Sequence, residues 1–324
     1  MQSQRPLEGG RMAALARFRP RRSPGRRLSP RKRREEREFY LFIAPWLIGF
    51  LLFGIGPILG SALLSFTNWS FLSSPEWVGL DNYRRLMSDP LFYVTLRNTL
   101  YFGTGSVLLG VCLAFGLALL LNQKVAGMPV FRTIFYLPSV VSGIATALLW
   151  VNIFHPDFGL INYALGFIGI QGPGWLQSEE WVIPALIIMS LWGAGGTMLI
   201  YLAGLQSIPE SLYEAASIDG AGPLAKFWNI TVPMMSPVIF FNLIVGFISS
   251  LQAFVLILVM TDGGPADASL VYGLYIYRMA FQYFEMGYAS ALAWVLFIVI
   301  MAITALQFTL GQRWVYYEGG RREG

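Results

Sequence analysis

"LYEAASIDGAGPLAKFWNITVP", residues 212–233, separates two long apolar stretches of the chain, 181–205 and 234–260. A loop that only joined two membrane spans would need a few polar residues. This loop is longer and patterned, with a helix-forming first half, a glycine-rich break, and a second helix-forming half that ends on a proline. We therefore expect it to have a defined structure and a task of its own.

The first half of the loop carries signals for a helix start and a helix end. Ser207 and Glu210 have the S-x-x-E spacing of a capping box. The helix is predicted to run to about Asp219, because Gly220 allows a C-terminal turn and Pro223 cannot continue the same helix. A rod of about twelve residues is about 18 Å long and is marginal alone in water. It should therefore pack against something else.

The surface of this rod suggests how a partner would meet it. The small side chains of Ala215 and Ala216 allow a partner surface to approach the helix closely. Glu214 offers a negative charge that can pair with a basic residue of that partner. A second short helix, 224–230, then turns into the span that begins near Met234. We interpret the loop as a rigid lever fixed to a membrane helix. Composition alone leaves open the alternative of an amphipathic helix lying on the membrane surface.

The composition is that of a membrane protein. The chain has 324 residues, of which 55% are hydrophobic and 13% charged, and its mean hydropathy is +0.56. A soluble domain would have about 25% charged residues. Thirteen of the 23 basic residues fall within residues 1–38. Cys112 is the single cysteine, which allows no intrachain disulfide.

Six stretches are long and apolar enough to cross a hydrocarbon core, and none contains Asp, Glu, Lys or Arg. Only a helix satisfies its own backbone in lipid, so we predict an all-α polytopic membrane protein. Prolines near the span ends or at expected kinks are Pro45, Pro57, Pro138 and Pro184. The predicted spans are Tyr40–Phe66, Asn98–Leu121, Thr133–Phe154, Trp181–Leu205, Met234–Met260 and Gly287–Leu310.

The distribution of basic residues predicts the orientation. An even number of spans places both termini on one side, and that side carries 19 basic residues against four on the other. The chain should therefore sit in the cell membrane with both termini in the cytoplasm. We predict a disordered, lipid-facing cytoplasmic tail over 1–38, a six-span domain over 39–318 and a short C-terminal tail over 319–324. The basic tail is interpreted as topology-setting, with no nucleic acid as partner.

Several fixed residues of the loop resemble a known family. "EAA" at 214–216, "DGA" at 219–221, "I-x-V-P" at 230–233 and Pro237 are similar to the EAA loop of binding-protein-dependent ABC importer permeases. Residues 77–99 are similar to the first outer loop of carbohydrate-importer permeases. Residues 261–294 resemble the last outer loop and the sixth span of the subunit type that pairs with a second, maltose-G-like permease.

The resemblance implies a type I ABC importer permease fold and a function in sugar or oligosaccharide import by alternating access. The coupling loop, 206–233, would sit in a cleft of an ATPase subunit. The implied partners are a second homologous permease, two ATP-binding cassette subunits, an extracytoplasmic solute-binding protein, a sugar substrate and the lipid bilayer. The implied coupling residues are Glu214, Ala215, Ala216, Asp219, Gly220 and Pro233.

The sequence also indicates where the energy would come from. It contains no G-x-x-x-x-G-K-[ST] motif, so ATP and Mg²⁺ would be bound by a partner, and we predict no cofactor, metal site or catalytic group in this chain. Ion-coupled carriers usually have acids or bases within their spans, and these spans have none. An ion-coupled carrier is therefore disfavoured, and a membrane-embedded enzyme would lack its cluster of reactive groups.

Two patches of small, polar and aromatic residues are candidates for a substrate path. Hydroxyl and amide donors beside aromatic faces suit a sugar, although small residues also let membrane helices pack closely. A permease of the same superfamily for a glycerol phosphodiester, a polyamine or a peptide remains the alternative. The candidate residues are Trp192, Gly193 and Gly196 in span four, and Asn242, Gly246, Ser249, Ser250 and Ala253 in span five. Outside the spans, Gly172–Trp175 is predicted to be a turn with its tryptophan at the membrane interface.

Overall fold

A computed structural model describes residues 30–70 and 74–316. It divides the chain into two units, 1–59 and 60–324. The described part of the first unit is helical. It contains α1 (Pro30–Phe50), a π-helical turn (Leu51–Ile55) and the beginning of α2 (Gly56–Leu64).

The first predicted span is confirmed as helical, but its helix begins earlier than expected. Residues 30–38 belong to α1, so the prediction that they are part of a disordered tail is wrong. Ion pairs at i, i+4 support this extension, with Arg31 and Glu35 at 3.2 Å and Arg34 and Glu38 at 2.8 Å. The remainder of the predicted tail, 1–29, lies outside the described residues.

Spans two and six are long, unbroken helices close to their predicted positions. They are α4 (Pro90–Leu121) and α15 (Met286–Gly311). At the N-terminus of α4, the Asp89 carboxylate accepts a hydrogen bond from the Leu91 N–H at 2.9 Å. This cap and the following proline explain why α4 begins before the apolar run predicted from Asn98.

Span three is sharply bent, which corrects the prediction of one helix over Thr133–Phe154. Helix α5 (Met128–Tyr136) and a 3₁₀ turn (Leu137–Val140) meet α6 (Gly143–Ile153) at 98°. Between the two helical parts, the backbone of Val141 and Ser142 is extended, with ψ values of 140° and 133°. The bend follows Pro138, which has no backbone N–H to extend the helical ladder.

Span four is also broken, into α8 (Val182–Leu191) and α9 (Gly195–Gln206), with a bend of 48°. The turn between them brings α9 against α5. A Cβ on Gly195 would lie 2.0 Å from the Phe135 carbonyl oxygen. Only glycine fits at that contact, so Gly195 fixes where α9 can begin.

Span five is displaced toward the coupling loop relative to the predicted Met234–Met260. One continuous helix runs from Pro223 to Leu251 and consists of α11 (Pro223–Lys226), a π turn (Phe227–Thr231) and α12 (Val232–Leu251). The predicted end of the span forms a separate short helix, α13 (Val255–Met260). The chain turns between α12 and α13 so that the Phe254 ring stacks on Tyr277, with 5.8 Å between centroids.

Short elements occupy the loops. On the predicted outer side, β1 pairs with β2 in antiparallel register, with Thr67 opposite Trp77. On the predicted cytoplasmic side, α10 forms the first half of the coupling loop. The bounds are β1 (Thr67–Asn68), β2 (Glu76–Trp77), α3 (Asp81–Ser88), α7 (Leu160–Phe167), α10 (Glu210–Ile218), α14 (Tyr272–Tyr277) and a π turn (Arg278–Gln282).

The second unit has two apolar cores. One surrounds Tyr272 and Leu186 and lies among α8, α13, α14 and α15. The other surrounds Met198, Tyr201 and Met235 and lies among α4, α9 and α12. The candidate substrate path lies between them.

Trp175 belongs to the first of these cores, and its position at the depth of the membrane interface stays a prediction. Its side chain is 7% exposed, and its indole N–H donates to the Asn162 Oδ1 at 2.7 Å. The Asn162 amide in turn donates to the carbonyls of Pro156 and Pro173. Because Asn162 accepts a hydrogen bond from the indole N–H, the ring can be buried with its polar group satisfied.

Candidate functional site

The coupling loop begins differently from the predicted capping box. Pro209 occupies the N-cap of α10, and the Ser207 hydroxyl donates back to the Gly204 carbonyl at 2.7 Å. Glu210 instead pairs with Lys124 of the neighbouring loop at 3.2 Å. The capping-box prediction is therefore wrong, because Ser207 completes the end of α9 rather than starting α10.

The end of α10 agrees with the predicted glycine stop. Gly220 has φ of +78°, its N–H donates to the Ser217 carbonyl at 3.1 Å, and the Ala221 N–H donates to the Ala216 carbonyl at 2.8 Å. This pair of bonds is a Schellman motif, and Asp219 is its C-cap residue. The left-handed conformation is the reason that glycine is required here.

The predicted coupling residues of α10 lie largely on its surface. Glu214 and Ala215 are exposed and Ala216 is half-buried. Within the described part of the chain, Glu214 has no ion-pair partner. Large apolar side chains of the same loop are exposed as well, with Ile218 at 87% and Leu224 at 77%.

Pro233 does not end a helix, contrary to the prediction. It lies in the first turn of α12, directly after the π turn, and the helix continues through it. The ring of a proline clashes with the carbonyl four residues back, here Asn229, and the widened turn moves that carbonyl aside. Pro57 follows the π turn of the first span in the same way.

The two patches predicted for the substrate path meet at one cavity of about 320 Å³. It lies where α4, the break between α8 and α9, and α12 come together. Every described residue that lines it is uncharged. The predicted residues found there are Gly193, Asn242, Gly246, Ser249, Ser250 and Ala253, and Thr197 of α9 also lines it.

Trp192 and Gly196, which were predicted on the same path, do not line this cavity. Trp192 is 48% exposed and packs edge-on against Trp150, with 5.7 Å between ring centroids. A Cβ on Gly196 would point at Ser139, 3.8 Å away. These contacts place Trp192 and Gly196 against α6 and the 3₁₀ turn after α5, away from the face of Gly193 that lines the cavity.

A face of α4 forms one wall of the cavity, and the prediction from the sequence did not include it. It contributes a hydroxyl from Ser106 and an aromatic edge from Phe102. A stripe of small residues, Gly103, Ser106 and Gly110, has helical spacing and could have indicated this face. The residues missed are Phe102, Ser106, Val107, Gly110 and Val111 of α4, Ser190 of α8 and Ala194 of the turn.

A second polar cluster, on the predicted outer side, joins α4 to α14 and α15. The Asp89 carboxylate accepts hydrogen bonds from Tyr275 and from Tyr288, the latter at 2.7 Å. Arg85 pairs with Glu285 at 2.7 Å and lies 4.2 Å from the centroid of the Tyr288 ring. We refer to these five residues as the outer clasp.

The electrostatics of the outer clasp favour an ionised Asp89. Partial burial opposes ionisation, but the hydrogen bonds from Tyr275 and Tyr288 outweigh it and hold the pKa of Asp89 below its ordinary value of 3.8. A lowered pKa means that the carboxylate stabilises the folded state above pH 3.8, and that this contribution is lost as the pH falls through the lower, folded-state value.

Replacing Asp89 with alanine is expected to lower the free energy of unfolding of the purified chain at pH 7 by about 2 kcal/mol, the scale of hydrogen bonds to a charged group. Thermal unfolding in detergent measures the change. Asp81→Ala is the matched control, because its ion pair with Arg84 is exposed at the surface and should be worth less than about 1 kcal/mol. Equal losses in the two variants would contradict a structural role for the outer clasp.

Potential metal ligands do not cluster in the described part of the chain. Across residues 30–70 and 74–316, no three His, Cys, Asp or Glu side chains are grouped where they could hold a metal ion.

Known proteins are similar to this chain over most of its length. The family described as "Binding-protein-dependent transport system inner membrane component" matches residues 106–316. The chain is 42% identical over 284 residues to the "Probable ABC transporter permease protein YesP" of Bacillus subtilis (strain 168), covering 86% of this chain and 92% of that protein. It is 34% identical over 286 residues to the "Trehalose/maltose transport system permease protein MalF" of Thermococcus litoralis, covering 87% and 96% respectively.

A solved structure shares the fold. It is a chain in the crystal structure of a bacterial alginate ABC transporter in complex with an alginate pentasaccharide-bound periplasmic protein. The superposition has a TM-score of 0.77 at 27% identity and covers 87% of this chain and 96% of that chain.

Proposed function

Since this chain belongs to the family of binding-protein-dependent transport system inner membrane components, we propose that it conducts a neutral sugar across the cell membrane as one of two permease subunits of an ATP-driven importer. Its predicted type I importer fold is confirmed. The observation that supports the proposal most strongly is mechanical. One unbroken helix, Pro223–Leu251, carries the coupling loop at one end and the polar face of the cavity farther along.

The chemistry of the cavity supports a sugar as the substrate. Ser106, Ser190, Asn242 and Ser249 offer hydroxyl and amide groups beside the Phe102 ring. Hydroxyl-rich, uncharged solutes fit such a lining, because they present hydrogen-bonding edges and apolar C–H faces. A phosphodiester or a polyamine would instead need compensating charge along the path.

The coupling loop supports an ATPase partner. Ile218, Leu224 and Trp228 are exposed apolar side chains of this loop, and they would be buried in a cleft of an ATP-binding cassette subunit. Glu214 lies on the same loop and would pair with a basic residue of that subunit. Ala215 and Ala216 would allow the close approach. Asp219, Gly220 and Pro233 would fix the angle between α10 and the helix that follows it, a junction that we call the elbow.

The proposed assembly has two permeases, two ATPase subunits that bind ATP and Mg²⁺, and a solute-binding protein on the outer side. This chain performs no chemistry in the proposed cycle. ATP binding draws the coupling loops together and opens the path outward to the loaded binding protein, and hydrolysis returns it inward. Both termini then lie in the cytoplasm, on the side of α10.

The test is uptake by the complete complex in proteoliposomes, with ATP inside and the binding protein outside. Radiolabelled maltose and trehalose serve as neutral probes, and an alginate oligosaccharide serves as the acidic comparison. We expect uptake of a neutral sugar only when both ATP and the ATPase subunits are present. Uptake without the ATPase subunits, or of the acidic sugar alone, would overturn the proposal.

Ile218→Asp is expected to release the ATPase subunit, because burial of one isoleucine contributes about 1.5–3 kcal/mol and a buried charge is costly. Co-purification of the ATPase with this chain should fall at least about tenfold. Gln123→Asp is the control, since it adds the same charge at an exposed position outside the coupling loop. Full retention of the ATPase by the Ile218 variant would place the contact elsewhere.

A further inference from the structure

Two side-chain hydrogen bonds cross the elbow between α10 and the helix that follows it. The Tyr213 hydroxyl lies 3.0 Å from the Thr231 hydroxyl oxygen, and the Lys226 ammonium donates to the Ser217 hydroxyl at 2.6 Å. The connecting segment of the elbow is short: α10 ends at Ile218 and α11 begins at Pro223. These two contacts therefore restrict the rotation of α10 about the segment that connects it to α11.

The two bonds differ in burial. Thr231 is 6% exposed, and the half-buried Tyr213 packs against the second core, which contains Tyr201 and Met235. The bond between Lys226 and Ser217 lies in an exposed position, where water competes for both groups. A buried hydrogen bond is costly to break because its partners then remain unsatisfied, so the bond between Tyr213 and Thr231 dominates.

Thr231 occupies a mechanically important position. It is the last residue of the π turn Phe227–Thr231, and α12 continues from it without a break to Leu251. Asn242, Gly246 and Ser249 of that helix line the cavity. A displacement of Thr231 is therefore passed along a rigid helix to the path.

We propose that Tyr213 is a positioning residue for transport and that its hydrogen bond to Thr231 makes α10 and α12 move as one body. This inference rests on the proposed function, because it concerns how the motion of an ATPase reaches the cavity. When the bond is absent, α10 still docks on its partner, but the left-handed turn at Gly220 lets it rotate relative to α12. ATP is then hydrolysed with less movement of the path.

The experiment compares variants that remove one hydroxyl group at a time. Tyr213→Phe and Thr231→Val each remove one side of the bond, and Thr231→Ser restores it. In the reconstituted complex we measure the ATP hydrolysed per sugar imported, with maltose and trehalose as probes. Each single loss should raise that ratio about fivefold, the factor expected for one net hydrogen bond, and Thr231→Ser should match the wild type.

The double variant tests whether the two hydroxyls act as a unit. Tyr213→Phe combined with Thr231→Val should raise the ratio no more than either change alone. Ser217→Ala is the matched control at the exposed bond of the same elbow and should leave the ratio unchanged. An unchanged ratio in Tyr213→Phe, or additive effects in the double variant, would overturn the inference while leaving the proposed function intact.

A second measurement does not depend on the substrate. Hydrogen exchange of the α10 backbone amides in the assembled complex should be about fivefold faster in Tyr213→Phe than in the wild type. If the wild-type complex imports neither sugar, the proposed function fails, and the exchange experiment still decides whether the bond holds the elbow. Equal exchange in the two proteins would then overturn the inference as well.

Discussion

Replacing Gly220 with proline is expected to reduce ATP-driven uptake by about a hundredfold while the chain still inserts into the membrane. Proline fixes φ near −65°, whereas Gly220 has φ of +78°. Proline also lacks the N–H that Gly220 donates to the Ser217 carbonyl. A cost of about 3 kcal/mol would unwind the end of α10, which corresponds to roughly a hundredfold loss of the docked conformation.

The two glycines of the elbow provide a matched pair of controls. A Cβ at Gly220 or at Gly222 would meet no atom within 4 Å, so neither alanine variant is crowded. Their backbones differ, because Gly222 has φ of −72° and Gly220 is left-handed. Gly220→Ala should cost about 1–2 kcal/mol and slow uptake, and Gly222→Ala should leave uptake near the wild-type rate. Normal uptake by Gly220→Pro would mean that α10 does not transmit the motion.

Placing a tryptophan at Ser249 is expected to abolish uptake. Ser249 lines the cavity of about 320 Å³, and an indole there would fill much of it. We expect uptake to fall at least about a hundredfold, which corresponds to a barrier higher by about 2.7 kcal/mol. ATP hydrolysis by the complex should persist, because Ser249 lies far along α12 from the coupling loop.

The control for this prediction is a tryptophan at Val245, on the same helix. Val245 is 44% exposed and does not line the cavity. The substitution introduces the same ring without blocking the path, so uptake should continue. Assembly of both variants is checked by co-purification of the partner subunits. Normal uptake by the Ser249→Trp complex would show that the solute passes elsewhere.

The membrane helices could be predicted from the sequence because lipid leaves the backbone few options. A single apolar segment that crosses lipid must be helical to satisfy its own backbone, and spans two and six therefore appear nearly where hydropathy placed them. Gly220 could be predicted as the end of α10 for a similarly local reason, since its left-handed conformation is a property of one residue.

The prolines show where such local reasoning stops. Pro57 and Pro233 follow π turns and remain within continuous helices, while Pro138 lies at a bend of 98°. The same missing N–H gives different outcomes because a π turn before Pro57 and Pro233 moves aside the carbonyl that the proline ring would meet, whereas Pro138 lies in a 3₁₀ turn. The close approach of α9 to Phe135 at Gly195 depends instead on a contact between segments that are distant in the chain.

The cavity shows the same division between local and distant causes. Gly193 and Asn242 could be recognised as members of polar helical faces, but the α4 wall with Phe102 and Ser106 was missed, and Trp192 does not line the cavity. A helical face is a local property that periodicity reveals. Which faces meet depends on bends and interhelical contacts.

The sequence alone determined that this chain crosses a membrane as helices, and that a structured loop with a left-handed glycine joins spans four and five. These features follow from single residues and their immediate neighbours, on which solvation and backbone sterics act directly. Only the tertiary structure decided that this loop continues into α12 and is tied to it by Tyr213 and Thr231, and that α4, the break between α8 and α9, and α12 meet at one uncharged cavity. Those features depend on residues far apart in the chain, whose positions are set by packing.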